Sequence, residues 1–243
     1  MNKYYYDLHI HSCLSPCGAD DMTPYNLVNM AALAGLQVIA LDDHNTTKNG
    51  PAAVRAGEEA GVLVVPAMEL TTKEDVHVLC LFPDCDAAEQ FRQFVYERLP
   101  RRKNRPKAFG HQYIMDHQDN ILGEEEQLLN FGSSIGIYEV AALVELYGGF
   151  AVPAHIDRAS FSLLRVMGVI EPAMGFTVYE TTPGCDAAAL YEARRITGGN
   201  ICNSDAHDLF AIPDASRTLK IASASAASVI RAVRALGFQQ RRR

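Results

Sequence analysis

Short apolar runs alternate with helix-forming segments along most of this chain. The runs at 36–41 and 62–68 are rich in β-branched residues, as strands buried on both faces of a sheet are. Strands that alternate with helices build a parallel sheet covered by helices. We predict a strand that begins at the tyrosines 4–6, further strands at 36–41, 62–68, 76–82, 150–154, 176–180, 200–203 and 219–222, and helices at 25–34, 51–60, 86–99, 124–129, 136–147, 186–195 and 226–236.

The number of these units bears on the architecture. About seven of them favour a closed barrel over an open sheet. No linker or shift in composition divides residues 1–243, so we expect one domain, with 239–243 as a frayed tail. The chain has 243 residues, of which 48% are hydrophobic, enough to bury a substantial core. Charged residues make up 21% and the net charge is -7, which argues against a protein dedicated to polyanionic nucleic acids or membrane surfaces.

Features that would direct the chain to a membrane or to export are not evident in the sequence. No apolar run approaches the roughly 20 residues that span a bilayer. The first residues lack the apolar core of a secretory signal, so we expect a cytoplasmic protein with no membrane partner and no obligate protein partner. The six cysteines form no C-x-x-C pair and are expected to be reduced thiols.

Two histidines stand two residues apart in the first predicted strand. Side chains at such positions point to the same face, so His9 and His11 project together. Two converging imidazoles can hold a metal ion, although such a pair alone is weak evidence.

Further candidate ligands follow the ends of other predicted strands. In parallel α/β barrels, the carboxyl-terminal rim of the strands is where active sites form. Structural histidines scattered at random would not follow strand ends, and the pattern therefore predicts a metal site. His77 is an exception, because it begins its predicted strand. The residues at or just after strand ends are His9, His11, His44, Glu69, His155, Asp205 and His207.

The motifs around these residues resemble those of the PHP family, named for polymerase and histidinol phosphatase. They are DLHIHS at 7–12, LDDHN at 41–45, PAMEL at 66–70, VH at 76–77, PAHID at 153–157 and NSDAH at 203–207. The resemblance implies a distorted (β/α)7 barrel, similar to a TIM barrel, and a trinuclear metal site.

The resemblance also implies a ligand set for each metal. The matching positions give His9, His11, Glu69 and Asp205 to one metal, with Glu69 bridging to a second metal held by His77 and His155. A third metal would be held by His44, His207 and an acidic residue of the first loop. The loop spacing departs from the family pattern, so that residue is Asp20 or Asp21, and we favour Asp20. Cys13 and Cys17 lie in the same loop, and we expect them to be packing residues rather than ligands.

The ligand types point to a class of metal and of substrate. Imidazole and carboxylate suit two or three divalent ions of Zn, Fe or Mn. The residual positive charge of such a cluster attracts a phosphate dianion, and the metals activate water for phosphoester hydrolysis. Glu69, Asp205 and His207 are the candidate catalytic residues. Arg158 either clamps the phosphate or forms a surface ion pair.

Several substrates and functions fit this site. We expect a phosphatase for a small phosphorylated metabolite or nucleotide. The alternatives are a 3′ or 5′ exonuclease or phosphodiesterase on short nucleic acid, a non-catalytic regulatory metal-binding domain, and, ranked low, a hydrolase of C–N bonds. The basic segment 98–107 is either a loop bearing on the site or a solvated surface. His111 and His117 are expected to be surface residues.

Overall fold

The computed structural model describes residues 1–239 and contains ten strands and eight α-helices within them. The strands are β1 (Asn2–Ile10), β2 (Val38–Leu41), β3 (Leu63–Thr71), β4 (His77–Leu81), β5 (Tyr113–Met115), β6 (Ile121–Glu124), β7 (Phe150–Pro153), β8 (Val178–Thr181), β9 (Gly199–Cys202) and β10 (Thr218–Ile221). The helices are α1 (Pro24–Leu33), α2 (Gly50–Ala60), α3 (Cys85–Tyr96), α4 (Pro106–Phe109), α5 (Ile137–Leu146), α6 (Leu163–Met167), α7 (Ala187–Arg194) and α8 (Ala226–Gln239).

The strands curl into a barrel. A six-stranded sheet has the order β10-β1-β2-β3-β4-β7, and β8 and β9 form a separate parallel pair. Two contacts join this pair to the edges of the larger sheet. Next to β7 and β8, the Ile156 amide donates to the Glu180 carbonyl at 2.9 Å. Next to β1 and β9, Ile10 at the end of β1 forms a β-bridge with Ala206, just after β9. Seven strands thus form the ring β1-β2-β3-β4-β7-β8-β9, while β10 pairs with the outer edge of β1. The predicted distorted (β/α)7 barrel is confirmed.

The direction of two strands differs from the prediction of a parallel sheet. β4 runs antiparallel to both β3 and β7, and β10 runs antiparallel to β1. The β3–β4 connection is a short turn of residues 72–76, too short for the crossover helix that a parallel pair requires. The amino-terminal end of β4 therefore lies at the same rim as the carboxyl-terminal ends of β3 and β7.

The middle of the chain also differs from the prediction. The helix predicted at 124–129 is wrong, because this segment follows β6 of the β5–β6 hairpin and remains extended as far as a bridge between Lys103 and Gln127. The other predicted helices are present with shifted ends. α1 begins as expected, with the Thr23 hydroxyl accepting from the Asn26 amide and Pro24 in the first turn.

One hydrophobic cluster lies inside the barrel. It takes residues from every strand of the ring, among them Leu8, Ala40, Leu79 and Val152, and also from α8, which closes the end opposite the rim. Two further clusters pack α1, α2, α3 and α5 against the outside of the sheet. Interior packing of this kind holds the rim of the barrel in a defined shape.

The predicted frayed tail, 239–243, begins at the last residue of α8, Gln239. The rest of it, residues 240–243, lies outside the described residues.

Among the helices of residues 1–239, none combines the length and the apolar character that crossing a bilayer requires.

Candidate metal centre

Five imidazoles form a ring at the rim of the barrel. Centroids of neighbouring rings lie between 4.6 and 5.9 Å apart, and a sixth imidazole stacks on the ring at 4.2 Å. The structure therefore brings together every histidine that the sequence assigned to the site. In order around the ring these are His9, His11, His44, His77 and His155, with His207 stacked on His11.

His77 joins the ring from the start of its strand. It opens β4, which runs antiparallel to β3, and it pairs in register with Thr71, the last residue of β3. The amino end of β4 therefore meets the carboxyl ends of the other strands. The position of His77, an exception in the sequence pattern, follows from the reversed direction of this one strand.

Glu69 lies at the centre of the ring. Its Oε1 atom lies 3.0 Å from His77 Nδ1, 3.2 Å from His155 Nε2 and 3.3 Å from His9 Nε2. Its Oε2 atom lies 2.9 Å from His44 Nδ1 and 3.5 Å from His11 Nε2. One carboxylate thus faces imidazoles on both sides, which is the geometry of a ligand shared between two metal ions.

Asp205 completes a compact group with the first two histidines. Its Oδ1 atom lies 3.2 Å from His9 Nε2 and 3.1 Å from His11 Nε2, and these two nitrogens are 3.1 Å apart. With Glu69 Oε1 at 3.3 Å from His9 Nε2, four potential ligand atoms cluster together. Ligands about 2.0–2.1 Å from a tetrahedral zinc ion lie about 3.3 Å from one another. The spacing therefore fits a divalent transition metal.

Buried atoms without hydrogen bonds support the same interpretation. Within residues 1–239, His44 Nδ1, His155 Nδ1 and Asp205 Oδ1 are buried and make no hydrogen bond of acceptable geometry. Buried polar atoms are nearly always paired, and an orphaned atom in a cluster indicates a missing ion or ligand. The donor types and their spacing fit the metals that the sequence predicted.

The electrostatics of the cluster follow from burial and close charges. Burial disfavours the charged form of Glu69, but His77, His9 and His44 outweigh it and lower the pKa of Glu69 well below its usual value. Burial also opposes charge on His9, yet the carboxylates of Glu180, Asp205 and Glu69 raise the pKa of His9 well above its usual value. For Asp205, burial is outweighed mainly by His9 and His11, which lower its pKa. Both central carboxylates are therefore ionised.

A second group of side chains orients the imidazoles. The His9 Nδ1 atom faces both oxygens of Glu180, and the His11 Nδ1 atom lies 3.1 Å from the Ser15 hydroxyl. That hydroxyl donates to Asp43 at 2.7 Å. In His9 and His11 these contacts occupy Nδ1 and leave Nε2 directed at the centre, which is how metal-binding histidines are usually held.

Three residues at the rim adopt left-handed backbone conformations. The φ angles are +31° at His155, +56° at Asp205 and +54° at Asn45, which follows His44. Such angles are unfavourable for residues with a Cβ and persist where surrounding contacts enforce them, often at functional sites. Here the Asn45 amide group donates to the carbonyls of Leu129 and Phe131, which holds that turn.

Arg158 and Phe161 lie beside the centre. The Arg158 guanidinium is 42% exposed and pairs with Asp205. The ring of Phe161 stacks on His77 at 4.7 Å and is 45% exposed, and Phe210, three residues beyond His207, is 96% exposed. The Arg158 ion pair is thus part of the site rather than a remote surface pair.

The structure does not bring Asp20 into the cluster, contrary to the prediction. Asp20 and Asp21 are exposed, and within residues 1–239 neither carboxylate contacts any of the six imidazoles through a hydrogen bond or ion pair. Cys17 lies beside His44 and His207 instead. Burial raises the pKa of the Cys17 thiol, but these two imidazoles outweigh it and lower the pKa to about 7. Of the two loop cysteines, Cys13 is buried as expected and Cys17 is exposed.

Sequence reasoning overlooked Glu180, although a signal for it was present. Glu180 belongs to the predicted strand 176–180 and stands at its end, as the recognised ligands do. Asp43 and Ser15 were also overlooked, because serine and aspartate in loops are common and nothing in their spacing marks them. His111 and His117 lie away from the ring, where they contact Glu124 and Glu59.

Comparisons with known proteins show which molecules share this fold. No protein-family model matches the chain. A stretch of 76 residues is 36% identical to MJ1587, an uncharacterized protein of Methanocaldococcus jannaschii, over 28% of this chain and 44% of that protein. The lesion-specific endonuclease EndoQ of Pyrococcus furiosus superposes with a TM-score of 0.71 at 20% identity, over 97% of this chain and 56% of the endonuclease.

A second solved structure is similar over most of both chains. It is a protein of Bifidobacterium adolescentis provisionally described as a metal-dependent phosphoesterase, with a TM-score of 0.58 at 21% identity over 83% of this chain and 87% of that one. This chain spans about half the length of MJ1587 and of the endonuclease. At these identities the structural likeness shows a shared fold alone: the chain has the distorted barrel of these proteins, and the resemblance to the PHP family rests on its motifs.

Proposed function

We propose that this protein is a metal-dependent hydrolase of phosphate esters that acts on a small phosphorylated metabolite or nucleotide. The observation that supports this most strongly is the convergence of six imidazoles on Glu69 and Asp205, with ligand atoms 2.9–3.5 Å apart. Imidazole with carboxylate suits Zn, Fe or Mn. Divalent ions of this kind, when bound, activate water and neutralise charge on phosphoryl oxygens.

Glu69 joins two parts of the proposed site. Its Oε1 atom faces His9, His77 and His155, and its Oε2 atom faces His44 and His11. We assign His9, His11 and Asp205 to one ion and His77 and His155 to a second, with Glu69 shared. Because Glu69 is 1% exposed and ionised, it would supply a fixed negative charge to both ions when they are bound.

Arg158 and Asp205 have distinct proposed roles. The half-exposed Arg158 guanidinium pairs with Asp205 at the centre, and its solvent-facing N–H groups can bind a phosphoryl oxygen. Asp205 acts as a ligand rather than as the proton donor to the leaving oxygen, because its pKa is lowered by His9 and His11 in spite of burial. Substrate orientation is therefore assigned to Arg158.

The test uses metal-depleted protein and one substitution. Added Mn²⁺, Zn²⁺ or Fe²⁺ should restore hydrolysis of a phosphomonoester such as p-nitrophenyl phosphate. Glu69→Gln should lose both metal, measured by elemental analysis, and turnover, whereas Glu192→Gln on the exposed side of α7 should retain both. Wild-type protein that binds no metal and hydrolyses no phosphate ester would contradict the proposal.

Nucleic acid is a second candidate substrate, favoured by an aromatic residue at the centre. Phe161 stacks on His77 and is 45% exposed, so a nucleobase can stack on it. The basic residues of 101–107 are exposed too, and Gly110, at the end of α4, lies against the Pro16 carbonyl beside Cys17. The endonuclease of similar fold is consistent with this alternative.

Rates on two substrates separate these candidates. A phosphatase for small molecules should hydrolyse a mononucleotide faster than a single-stranded oligonucleotide. A nuclease should prefer the oligonucleotide, lose that preference in Phe161→Ala and show cleavage that weakens as salt increases.

A further inference from the structure

The strand β10 has one edge without a partner. It pairs with β1 on one side, and within residues 1–239 no strand pairs with its other side. The Tyr6 amide donates to the Arg217 carbonyl at 3.1 Å, which makes these two residues a hydrogen-bonded pair of the antiparallel ladder. Because such pairs alternate along the ladder, the amide and carbonyl groups of Thr218 and Lys220 point away from β1, toward the free edge.

A groove of about 550 Å³ lies between this edge and α8. Its apolar lining includes Leu219 of β10 with Ala232 and Leu236 of α8, and its charged residues are Lys220 and Arg231. Among residues 1–239, no acidic side chain lines the groove. Since α8 packs on the inner face of β10, a strand added to the free edge would place every second side chain in this groove and the others on the outer face of the sheet.

The outer face of β1 and β10 carries two lysines in direct opposition. Lys3 of β1 is the cross-strand partner of Lys220, and both are exposed. They form a pair without mutual hydrogen bonds, the type in which side chains approach most closely, and like charges at such positions are destabilising. The ion pairs of lysine and arginine within the described part of the chain involve neither lysine and not Arg231. Three cations therefore border this edge without an acidic partner.

We propose that the free edge of β10 binds an acidic, extended segment of a partner protein, which joins the sheet as a further strand. The main-chain groups of Thr218 and Lys220 supply its hydrogen bonds, its acidic side chains face Lys220 and Lys3, and the apolar side chains between them enter the groove beside α8. The chemistry recognised is an alternation of acidic and apolar residues. Since β10 pairs with the amino-terminal half of β1, this surface is separate from the metal centre.

Charge distinguishes such a partner from a second copy of this chain. Pairing between the β10 edges of two copies would bring their cationic side chains together and add to the repulsion already present. A lysine on an edge strand likewise discourages pairing with apolar or basic strands. An acidic strand instead relieves the repulsion between Lys3 and Lys220, so the charges of this edge favour it.

Binding of synthetic peptides tests the proposal. The probe is a short, fluorescently labelled peptide in which glutamate alternates with valine, and the comparison is the same peptide with lysine in place of glutamate. Fluorescence anisotropy should detect binding of the acidic peptide alone, and hydrogen exchange at the amides of Thr218 and Lys220 should slow when it binds. Lys220→Glu should weaken binding of the acidic peptide about tenfold or more.

Two controls separate this surface from other causes of lost binding. Lys107→Glu reverses an exposed charge in the other basic region, the segment 98–107, and should leave the affinity for the acidic peptide unchanged. Urea unfolding checks that Lys220→Glu folds. This variant should be at least as stable as the wild type, because an opposite-charge pair replaces the pair of lysines.

Three outcomes would overturn the assignment of the β10 edge to an acidic strand. The acidic peptide binds no better than the basic one, or its affinity survives Lys220→Glu. Alternatively, Lys107→Glu removes the binding, which would place it on the segment 98–107. Finally, the wild type forms dimers that Lys220→Glu dissociates, which would give the edge to a second copy of the chain.

Discussion

The Nδ1 atom of His9 lies 3.1 Å from both carboxylate oxygens of Glu180. Glu180 is held in turn by the Asn203 side-chain amide at 2.6 Å and by the His155 backbone amide at 2.8 Å. The contact favours a proton on Nδ1, and Nε2 faces Glu69 and Asp205. Glu180 therefore orients a proposed metal ligand from the side of the ring that faces away from the other ligands.

Glu180→Gln should weaken metal binding. Glutamine keeps the size of the side chain but loses the charge that fixes the His9 proton, and loss of such a contact typically costs 10- to 100-fold in metal affinity. Competition with a chromophoric chelator measures the dissociation constant, and Glu192→Gln is the matched control. A dissociation constant for Glu180→Gln equal to that of the wild type would show that the contact has no positioning role.

Arg158→Ala should raise KM for a phosphomonoester about tenfold or more, with a smaller effect on kcat, because a charged hydrogen bond to phosphate is lost. Arg158→Lys should recover part of the loss. Steady-state kinetics with inorganic phosphate as a competitive inhibitor measure both effects, and Arg165→Ala on α6 is the control. An unchanged KM in Arg158→Ala would remove this residue from substrate binding.

The sequence predicted the barrel and most of the site because both follow from local patterns. Strand ends at one rim made His44, Glu69 and His155 recognisable as candidates before their distances were known. His77 fitted the pattern poorly, since strand direction depends on pairing with β3 and β7 and cannot be read from one strand. The ring itself confirms that these side chains converge, although the metal assignments remain predictions.

Errors arose where local sequence and tertiary contacts disagree. Residues 124–129 contain three glutamates and two leucines, which suit a helix, but pairing with Lys103 and β5 draws the segment into an extended conformation. Asp20 was favoured because the resemblance places an aspartate shortly after the first motif, and Cys17 was expected to pack. The fold of the loop decides which of its side chains faces the imidazoles, and spacing along the chain does not reveal it.

Leu79→Ala should destabilise the fold by about 2–5 kcal/mol, because it leaves a cavity inside the barrel. Leu79 is fully buried in the cluster that joins all the ring strands. Urea unfolding of the metal-depleted protein measures the free energy of unfolding. Leu146→Ala, at a position that is 80% exposed, should change it by less than about 0.5 kcal/mol. A similarly small change in Leu79→Ala would contradict the packing described for the interior.

Because Tyr179 is buried, its hydroxyl should lower the free energy of unfolding as the pH rises above about 10. Burial raises the pKa of Tyr179 to about 12, so the folded protein keeps a proton that the unfolded chain has lost. Stability therefore falls as the pH rises through this window, and Tyr179→Phe should show a flatter decline. Urea unfolding of the metal-depleted protein at several pH values between about 9 and 12 measures the slopes. Parallel slopes for both proteins would contradict the burial of this hydroxyl.

The central claim is that the imidazole ring encloses a metal cluster bridged by Glu69. Anomalous diffraction from crystals soaked in Zn²⁺ tests it most directly. We expect one peak between His9, His11 and Asp205 and a second on the side of His77 and His155, with Glu69 in contact with both. Crystals that show no anomalous peak inside the ring, or zinc bound only to histidines outside it, would contradict this account.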